Sequence, residues 1–178
     1  PDHLHFQAGT SGILPLQRDW QRLRETSIPL LKLNGTEGIY EIKDYICPAF
    51  AIVSHTEKHD VELFNCLYEA LPIKEDETEP MMNIVAWRNG EAFISVVFPR
   101  EKHRPDCYSA EGEAQCLVSP GSLDMGGLMI LPRQSDFEGM TSERAKAVLR
   151  EVSLADEAMA EVVKRVRNKA VDLAFDDW

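Results

Sequence analysis

The sequence has few basic residues, little cysteine and no apolar run long enough to span a bilayer. Lysine and arginine total 19 against 30 aspartate and glutamate residues, so the formal net charge is −11. This balance opposes the phosphate-neutralising surface that general nucleic-acid binding requires. We therefore expect neither a nucleic-acid partner nor a membrane partner.

The cysteines are too scattered to suggest a zinc or redox motif. No CxxC pair occurs among the four of them, which are Cys47, Cys66, Cys107 and Cys116. Reduced, mostly buried thiols are expected, as is usual for free cysteines in proteins that are not secreted. No charged-then-apolar signal segment opens the sequence, so we expect a cytoplasmic location. The sequence begins at Pro1 without a methionine, and we expect it to be a piece of a longer protein.

Alternating and β-branched residues predict an antiparallel sheet. The pair Asn89-Gly90 separates two apolar runs and predicts a hairpin over residues 83–98. Further short strands are predicted over residues 28–33, 38–43, 49–54, 114–118 and 128–131.

Apolar residues at helical spacing predict helices on this sheet. One is expected over residues 15–24 and another over residues 57–71, with Thr56 as its N-cap. Two more are expected near the C-terminus, the first opened by Thr141 and the second by Ser153 with Asp156. The inward residues are expected to include Leu16, Trp20, Leu23, Val61, Phe64, Tyr68, Leu71, Val148 and Leu149. The predicted fold class is α+β, an antiparallel sheet with helices packed on it.

Residues 3–8 carry the densest chemical pattern. Alternation predicts a strand with His3, His5 and Gln7 on one face, successive members roughly 6–7 Å apart. A neutral imidazole is a nucleophile towards phosphorus when its other ring nitrogen is held, and an amide can bind phosphate oxygens. The same spacing also fits two ligands of a metal site or a plain exposed polar face, and the residues alone leave all three open.

A second group of candidates follows the hairpin directly. It comprises Arg100, Lys102, His103 and Arg104. Clustered basic residues can attract phosphate inside an acidic protein, but scattered charges on a solvated loop are an equally ordinary arrangement. His55 and His59 lack a further ligand in sequence, so no metal site is expected there. Gly126-Gly127 predicts a close backbone approach or a bulge and not a phosphate cradle.

The string HLHFQ over residues 3–7 resembles the active-site strand of the histidine-triad superfamily, in the transferase and phosphorylase branch that carries His-x-His-x-Gln. Residues 83–85, residues 93–99 and the string SPGSLDMGGLMILPR over residues 119–133 are similar to the C-terminal half of the GDP-hexose phosphorylases. The likeness continues in the same order over residues 136–139 and 151–154.

This resemblance implies a HIT-like α+β fold in two unequal parts. Residues 1–27 would be the end of a first repeat, and residues 28–178 a second, degenerate repeat whose corresponding strand, 93–99, has no histidine. The part of the fold that normally precedes the motif strand, with most of the base and ribose pocket, is absent from the sequence. We therefore expect the chain alone to lack part of the active site.

The resemblance also implies an activity. His5 would attack the α-phosphorus of a nucleoside diphosphate-sugar or a dinucleoside polyphosphate, and inorganic phosphate would then take the nucleotidyl group. By the same resemblance His3 would orient the site and Gln7 would bind phosphate oxygens, while the basic group 100–104 would contact substrate. No cofactor is implied, and pairing of repeats within or between chains leaves a homodimer open. The alternative is a non-catalytic nucleotide-binding or interaction module with the same fold.

Overall fold

The computed structural model describes residues 6–175 of the protein, with side chains described for residues 6–169. His3 and His5 therefore lie outside the described residues. Residues 6–10 form neither helix nor strand, so the described end of the predicted motif strand is not a strand in this structure.

Five antiparallel strands form one sheet in this part of the chain. They are β1 (Ile28–Lys32), β2 (Gly38–Ile42), β3 (Ala49–Ser54), β4 (Met82–Asn89) and β5 (Ala92–Pro99). Their order across the sheet is β1-β2-β3-β5-β4. The hairpin prediction is confirmed, because Asn89 pairs with Ala92 and Gly90 turns the chain at a φ of 62°. Such a positive φ suits glycine, which has no Cβ to clash with the backbone.

The helices are mostly those that the periodicity predicts. They are α1 (Pro15–Arg18), α2 (Trp20–Thr26), α3 (Glu57–Ala70), α4 (Ser122–Met125), α5 (Gln134–Glu138), α6 (Ser142–Val152) and α7 (Asp156–Phe175). Thr56 and Thr141 cap α3 and α6 as predicted, since their hydroxyls accept from the backbone N–H groups of His59 and Arg144 at 3.2 Å. No helix among the described residues has the length and apolar content needed to cross a membrane.

The sheet buries both of its faces, which confirms the predicted α+β fold with helices packed on the sheet. On one face, Val53, Val96 and Phe98 pack under α1, α2 and Met125 of α4. On the other face, Phe50 and Ile52 pack under α3 and α7. Strand β3 lies in the middle of the sheet, and all six of its residues are buried.

All four cysteines are free thiols, as predicted. Cys47 and Cys116 are buried and the other two are half-buried. Burial raises the pKa of Cys47 to about 12, so this thiol stays protonated at neutral pH.

The two short strands predicted after the hairpin are wrong. Residues 115–121 and 128–132 form neither helix nor strand, and residues 112–114 form one turn of 3-10 helix. Their backbone groups are bound by the side chains of Arg100, Asp124 and Asp136 instead of by a neighbouring strand.

Two smaller helix predictions are also wrong. Val61 is 58% exposed, because α3 buries Leu63, Leu67 and Ala70 instead. The Ser153 hydroxyl does not cap α7, since it donates back to the carbonyl of Leu149 at 2.7 Å and so closes the end of α6.

Candidate functional site

The chemistry that the motif suggests can be located only through Gln7, because the two histidines before it lie outside the described residues. Gln7 is exposed and lines an open cleft of about 420 Å³. The other residues of this cleft come from the loops after the hairpin and are Tyr108, Leu117, Ser119, Gly121, Ser122, Leu123, Asp124, Ile130 and Pro132. The structure thus brings the described end of the motif to the segment 119–133.

A buried carboxylate shapes one wall of the cleft. Asp124 is 5% exposed, and its Oδ2 accepts from the N–H of Gly121 at 2.9 Å while its Oδ1 accepts from the N–H of Ile130 at 2.8 Å. The hydroxyl of Tyr45 donates to the carbonyl of Met125 at 2.8 Å and ties the same turn to the core. Because both carboxylate oxygens are used, Asp124 holds the loop closed around α4.

The glycine pair Gly126-Gly127 marks a close backbone approach, as predicted. Gly127 has a φ of 96°, and a Cβ there would lie 2.9 Å from Cβ of Pro15. The N–H of Leu16 donates to the carbonyl of Gly126 at 3.1 Å. This contact fastens the segment that follows Gln7 to the wall of the cleft.

Arg100 supports the cleft from inside the protein. Its side chain donates to the carbonyls of Val152 at 3.1 Å, Pro120 at 2.9 Å, Lys102 at 3.0 Å and His103 at 2.9 Å, and to the amide oxygen of Asn83. These bonds use all five N–H donors of the guanidinium, so none remains for a substrate. Arg100 therefore positions the loop at Pro120, and the hypothesis of a direct substrate contact does not fit its surroundings.

The other three basic candidates differ in what they contact. The ammonium of Lys102 lies 2.6 Å from carboxylates of Asp106 and Glu151, and these bonds raise the pKa of Lys102. The side chain of His103 is exposed. Arg104 contacts two residues of the cleft: its Nε–H donates to Oγ of Ser119 at 3.2 Å, and its guanidinium carbon lies 4.1 Å from the ring centroid of Tyr108.

A second ionic network holds the backbone of the lining residue Leu117, and it was not predicted from the sequence. Arg133 pairs with the buried Asp136 at 2.8 Å, and it also donates to the side-chain oxygen of Gln115 at 2.9 Å. Asp136 accepts in turn from the N–H of Leu117 at 2.9 Å. The bond from Arg133 lowers the pKa of Asp136. The three-residue spacing of Arg133 and Asp136 was the available signal, since it places both side chains on one turn.

Near the start of α3, His55 and His59 both bind the buried carboxylate of Glu37. Nδ1–H of His59 donates to Oε1 of Glu37 at 2.9 Å, and the backbone N–H of His55 donates to the same oxygen at 2.7 Å. The bond from His59 holds the pKa of Glu37 below its usual value. Among the described residues no group of three or more histidine, cysteine or acidic side chains could hold a metal ion.

Comparisons with known proteins cover most of this chain. The family described as "GDPGP1-like, C-terminal domain" matches residues 22–173. GDP-L-galactose phosphorylase 2 of Arabidopsis thaliana is 39% identical over 170 residues, an alignment that covers 90% of this chain and 36% of the relative. The chain thus spans little more than a third of the length of that relative. No solved structure matches the chain significantly.

Proposed function

The chain belongs to the family of GDPGP1-like C-terminal domains, and from this premise we propose that it forms part of a phosphorylase that moves a nucleotidyl group to inorganic phosphate. The donor would be a nucleoside diphosphate-sugar or a dinucleoside polyphosphate. GDP-hexoses are the first donors to test, because the Arabidopsis relative is named as a GDP-L-galactose phosphorylase.

The proposed reaction is a double displacement at the α-phosphorus. One ring nitrogen of His5 attacks this phosphorus and forms a P–N bond, while the bond to the bridging oxygen breaks and hexose 1-phosphate leaves. An oxygen of inorganic phosphate then attacks the same phosphorus, the P–N bond breaks, and the nucleoside diphosphate leaves with His5 restored. His3 would orient the nucleophile, and Gln7 would donate from its amide to the phosphate oxygens.

One observation supports this proposal beyond the family membership. Gln7, the last polar residue of the motif, lines the same cleft as Ser119, Ser122 and Asp124. These three residues lie in the string 119–133 that resembles the GDP-hexose phosphorylases. The two separate parts of the sequence that carry the resemblance thus meet at one surface.

The proposal assigns only part of the active site to this chain. We propose that residues 1–27 end a first repeat, that residues 28–178 form a second repeat without a nucleophile, and that the rest of a full-length protein supplies the base and ribose pocket. The two proposed parts share one core in the structure, since Leu16 and Leu23 pack with Val96 and Phe98.

The decisive experiment traps the covalent intermediate in the full-length protein. Rapid quench with labelled GDP-hexose in the absence of phosphate should leave an acid-labile, base-stable nucleotidyl group on the wild-type protein and none on His5→Ala. His55→Ala is the matched control and should be labelled like the wild type. Labelling of His5→Ala would refute the mechanism. Binding of GDP without any labelling would instead identify a non-catalytic nucleotide-binding module.

A further inference from the structure

The guanidinium of Arg104 is held at the cleft in a fixed orientation although the side chain is exposed. Its Nε–H donates to Oγ of Ser119 at 3.2 Å, and its flat face covers the ring of Tyr108 at 4.1 Å. These contacts use the Nε–H and one face of the guanidinium. An exposed arginine normally samples many rotamers, whereas these two partners leave this one little freedom.

The outer edge of the same guanidinium remains available. Within residues 6–169, neither terminal nitrogen of Arg104 has a hydrogen-bond partner or an ion-pair partner. Its two terminal nitrogens form the planar fork that binds phosphate through paired hydrogen bonds. By contrast, Arg100 has every donor used, and Lys102 and Arg133 are paired with carboxylates.

The cleft beside Arg104 suits an anion. Among the described residues that line it, Asp124 is the one acidic residue, and both oxygens of this carboxylate accept backbone N–H groups. Ser119 and Ser122 add hydroxyl donors, and Gln7 adds an amide on the opposite segment. Arg104 does not itself line the cleft, but its guanidinium is bonded to the lining residue Ser119. This cationic group, the two hydroxyls and the amide together are a donor set for phosphate oxygens, in a protein whose formal net charge is −11.

We propose that Arg104, with Ser119 and Ser122, forms the subsite for the phosphate group that is exchanged at the α-phosphorus. The proposal rests on the double displacement proposed above. Each in-line displacement places the entering and leaving groups on opposite sides of phosphorus. Hexose 1-phosphate therefore leaves on the side away from His5, and inorganic phosphate must attack from that same side. One subsite consequently binds both the phosphate of the departing hexose 1-phosphate and the phosphate that replaces it.

Steady-state kinetics of the full-length protein test this assignment. Arg104→Gln should raise the KM for inorganic phosphate about tenfold or more, because a charge-assisted pair of hydrogen bonds is lost. The KM for hexose 1-phosphate in the reverse reaction should rise by a similar factor. The Kd for GMP, which carries only the α-phosphate, should not change. Arg104→Lys should recover part of the loss, since an ammonium keeps the charge without the fork.

The matched control is Arg22→Gln on α2, which should leave all three constants unchanged. Arg22 is also exposed, but it pairs with Asp19, which does not line the cleft, whereas Arg104 contacts the lining residues Ser119 and Tyr108. Wild-type constants in Arg104→Gln, or a rise for only one of the two phosphates, would overturn the shared subsite. Calorimetry with inorganic phosphate separates this proposal from the catalytic one. Phosphate binding that is lost in Arg104→Gln, in a protein that forms no nucleotidyl-histidine, would support a phosphate site at Arg104 but refute the proposed reaction and, with it, the exchange of phosphate groups at that site. If a catalytically active wild type binds no phosphate, the subsite is refuted and the proposed reaction stands.

Discussion

At the scale of single residues, Arg100 should matter more for stability than any exposed basic neighbour. Arg100→Lys keeps the charge but offers three donors in place of five, and it leaves buried carbonyls such as that of Pro120 without a partner. We expect the free energy of unfolding to fall by about 2–4 kcal/mol, since each unsatisfied buried group costs roughly 1–3 kcal/mol. Urea titration measures this, with Arg22→Lys as an exposed control expected within about 0.5 kcal/mol of the wild type. Equal stability of Arg100→Lys and wild type would contradict the role given to Arg100.

Glu37 should make the stability of the protein sensitive to acid. The bond from His59 lowers its pKa in the folded state below the usual 4.5, while the unfolded chain keeps the usual value. The carboxylate therefore contributes its full stabilisation above pH 4.5 and loses it as the pH falls through the lower, folded-state pKa.

Urea titrations at pH 6 and at decreasing pH below 4.5 test this linkage. Glu37→Gln should be less stable than wild type at pH 6 and should lose less stability on acidification. Glu62→Gln is the control, because that side chain is half-exposed on α3 and pairs only loosely with Lys58 at 3.7 Å. Parallel acid profiles for Glu37→Gln and wild type would show that Glu37 is not responsible.

At the scale of elements, the two threonine caps should each stabilise the protein by a similar amount. Thr56→Ala or Thr141→Ala removes the acceptor for one N–H at the start of α3 or α6 and should cost about 1 kcal/mol. Thr26→Ala is the matched control: its hydroxyl donates weakly to carbonyls at the end of α2, at 3.3 and 3.5 Å, and its loss should cost under about 0.5 kcal/mol. Thermal unfolding should show a larger fall in Tm for Thr56→Ala and for Thr141→Ala than for Thr26→Ala.

The contact between α1 and the cleft wall depends on Gly127. Gly127→Ala adds a Cβ 2.9 Å from Pro15 at a φ of 96°, so backbone strain and a steric clash act together. Gly112→Ala is the natural control, since Gly112 also has a positive φ, 61°, but open space around its Cβ position. We expect Gly112→Ala to cost about 1–2 kcal/mol from strain alone, and Gly127→Ala to cost clearly more. If chemical denaturation shows equal losses of unfolding free energy for the two variants, the added Cβ at position 127 has no steric cost against Pro15.

The elements that local patterns determine were predictable, and those that distant side chains hold were not. Asn89-Gly90 encodes its hairpin through turn chemistry, and Thr56 and Thr141 encode helix starts through their hydroxyls. Residues 114–118 have the apolar content of a strand, yet the N–H of Leu117 is bound by Asp136, a residue 19 positions away. No short window of sequence contains such a bond.

At the scale of the whole molecule, the α+β class and the helices packed on the sheet followed from composition and periodicity, and the structure confirms both. The position of the cleft could not be predicted from the sequence. The sequence placed Arg100 to Arg104 together as equivalent candidates, whereas folding buries Arg100, pairs Lys102 and leaves Arg104 at the cleft. Chain order gives the neighbours of a residue, but only tertiary structure decides which of its donors are already used.

The packing of Pro15 and Leu16 against Gly126-Gly127 limits where this protein can be cut into fragments. The family match begins at residue 22, and the proposed repeat boundary lies after residue 27, yet Leu14, Leu16 and Trp20 belong to the core under the sheet. A fragment cut at either position would leave an apolar face of the sheet uncovered and would tend to aggregate. Chimeras between relatives should therefore be joined before residue 13, so that α1 stays with the sheet on which it packs.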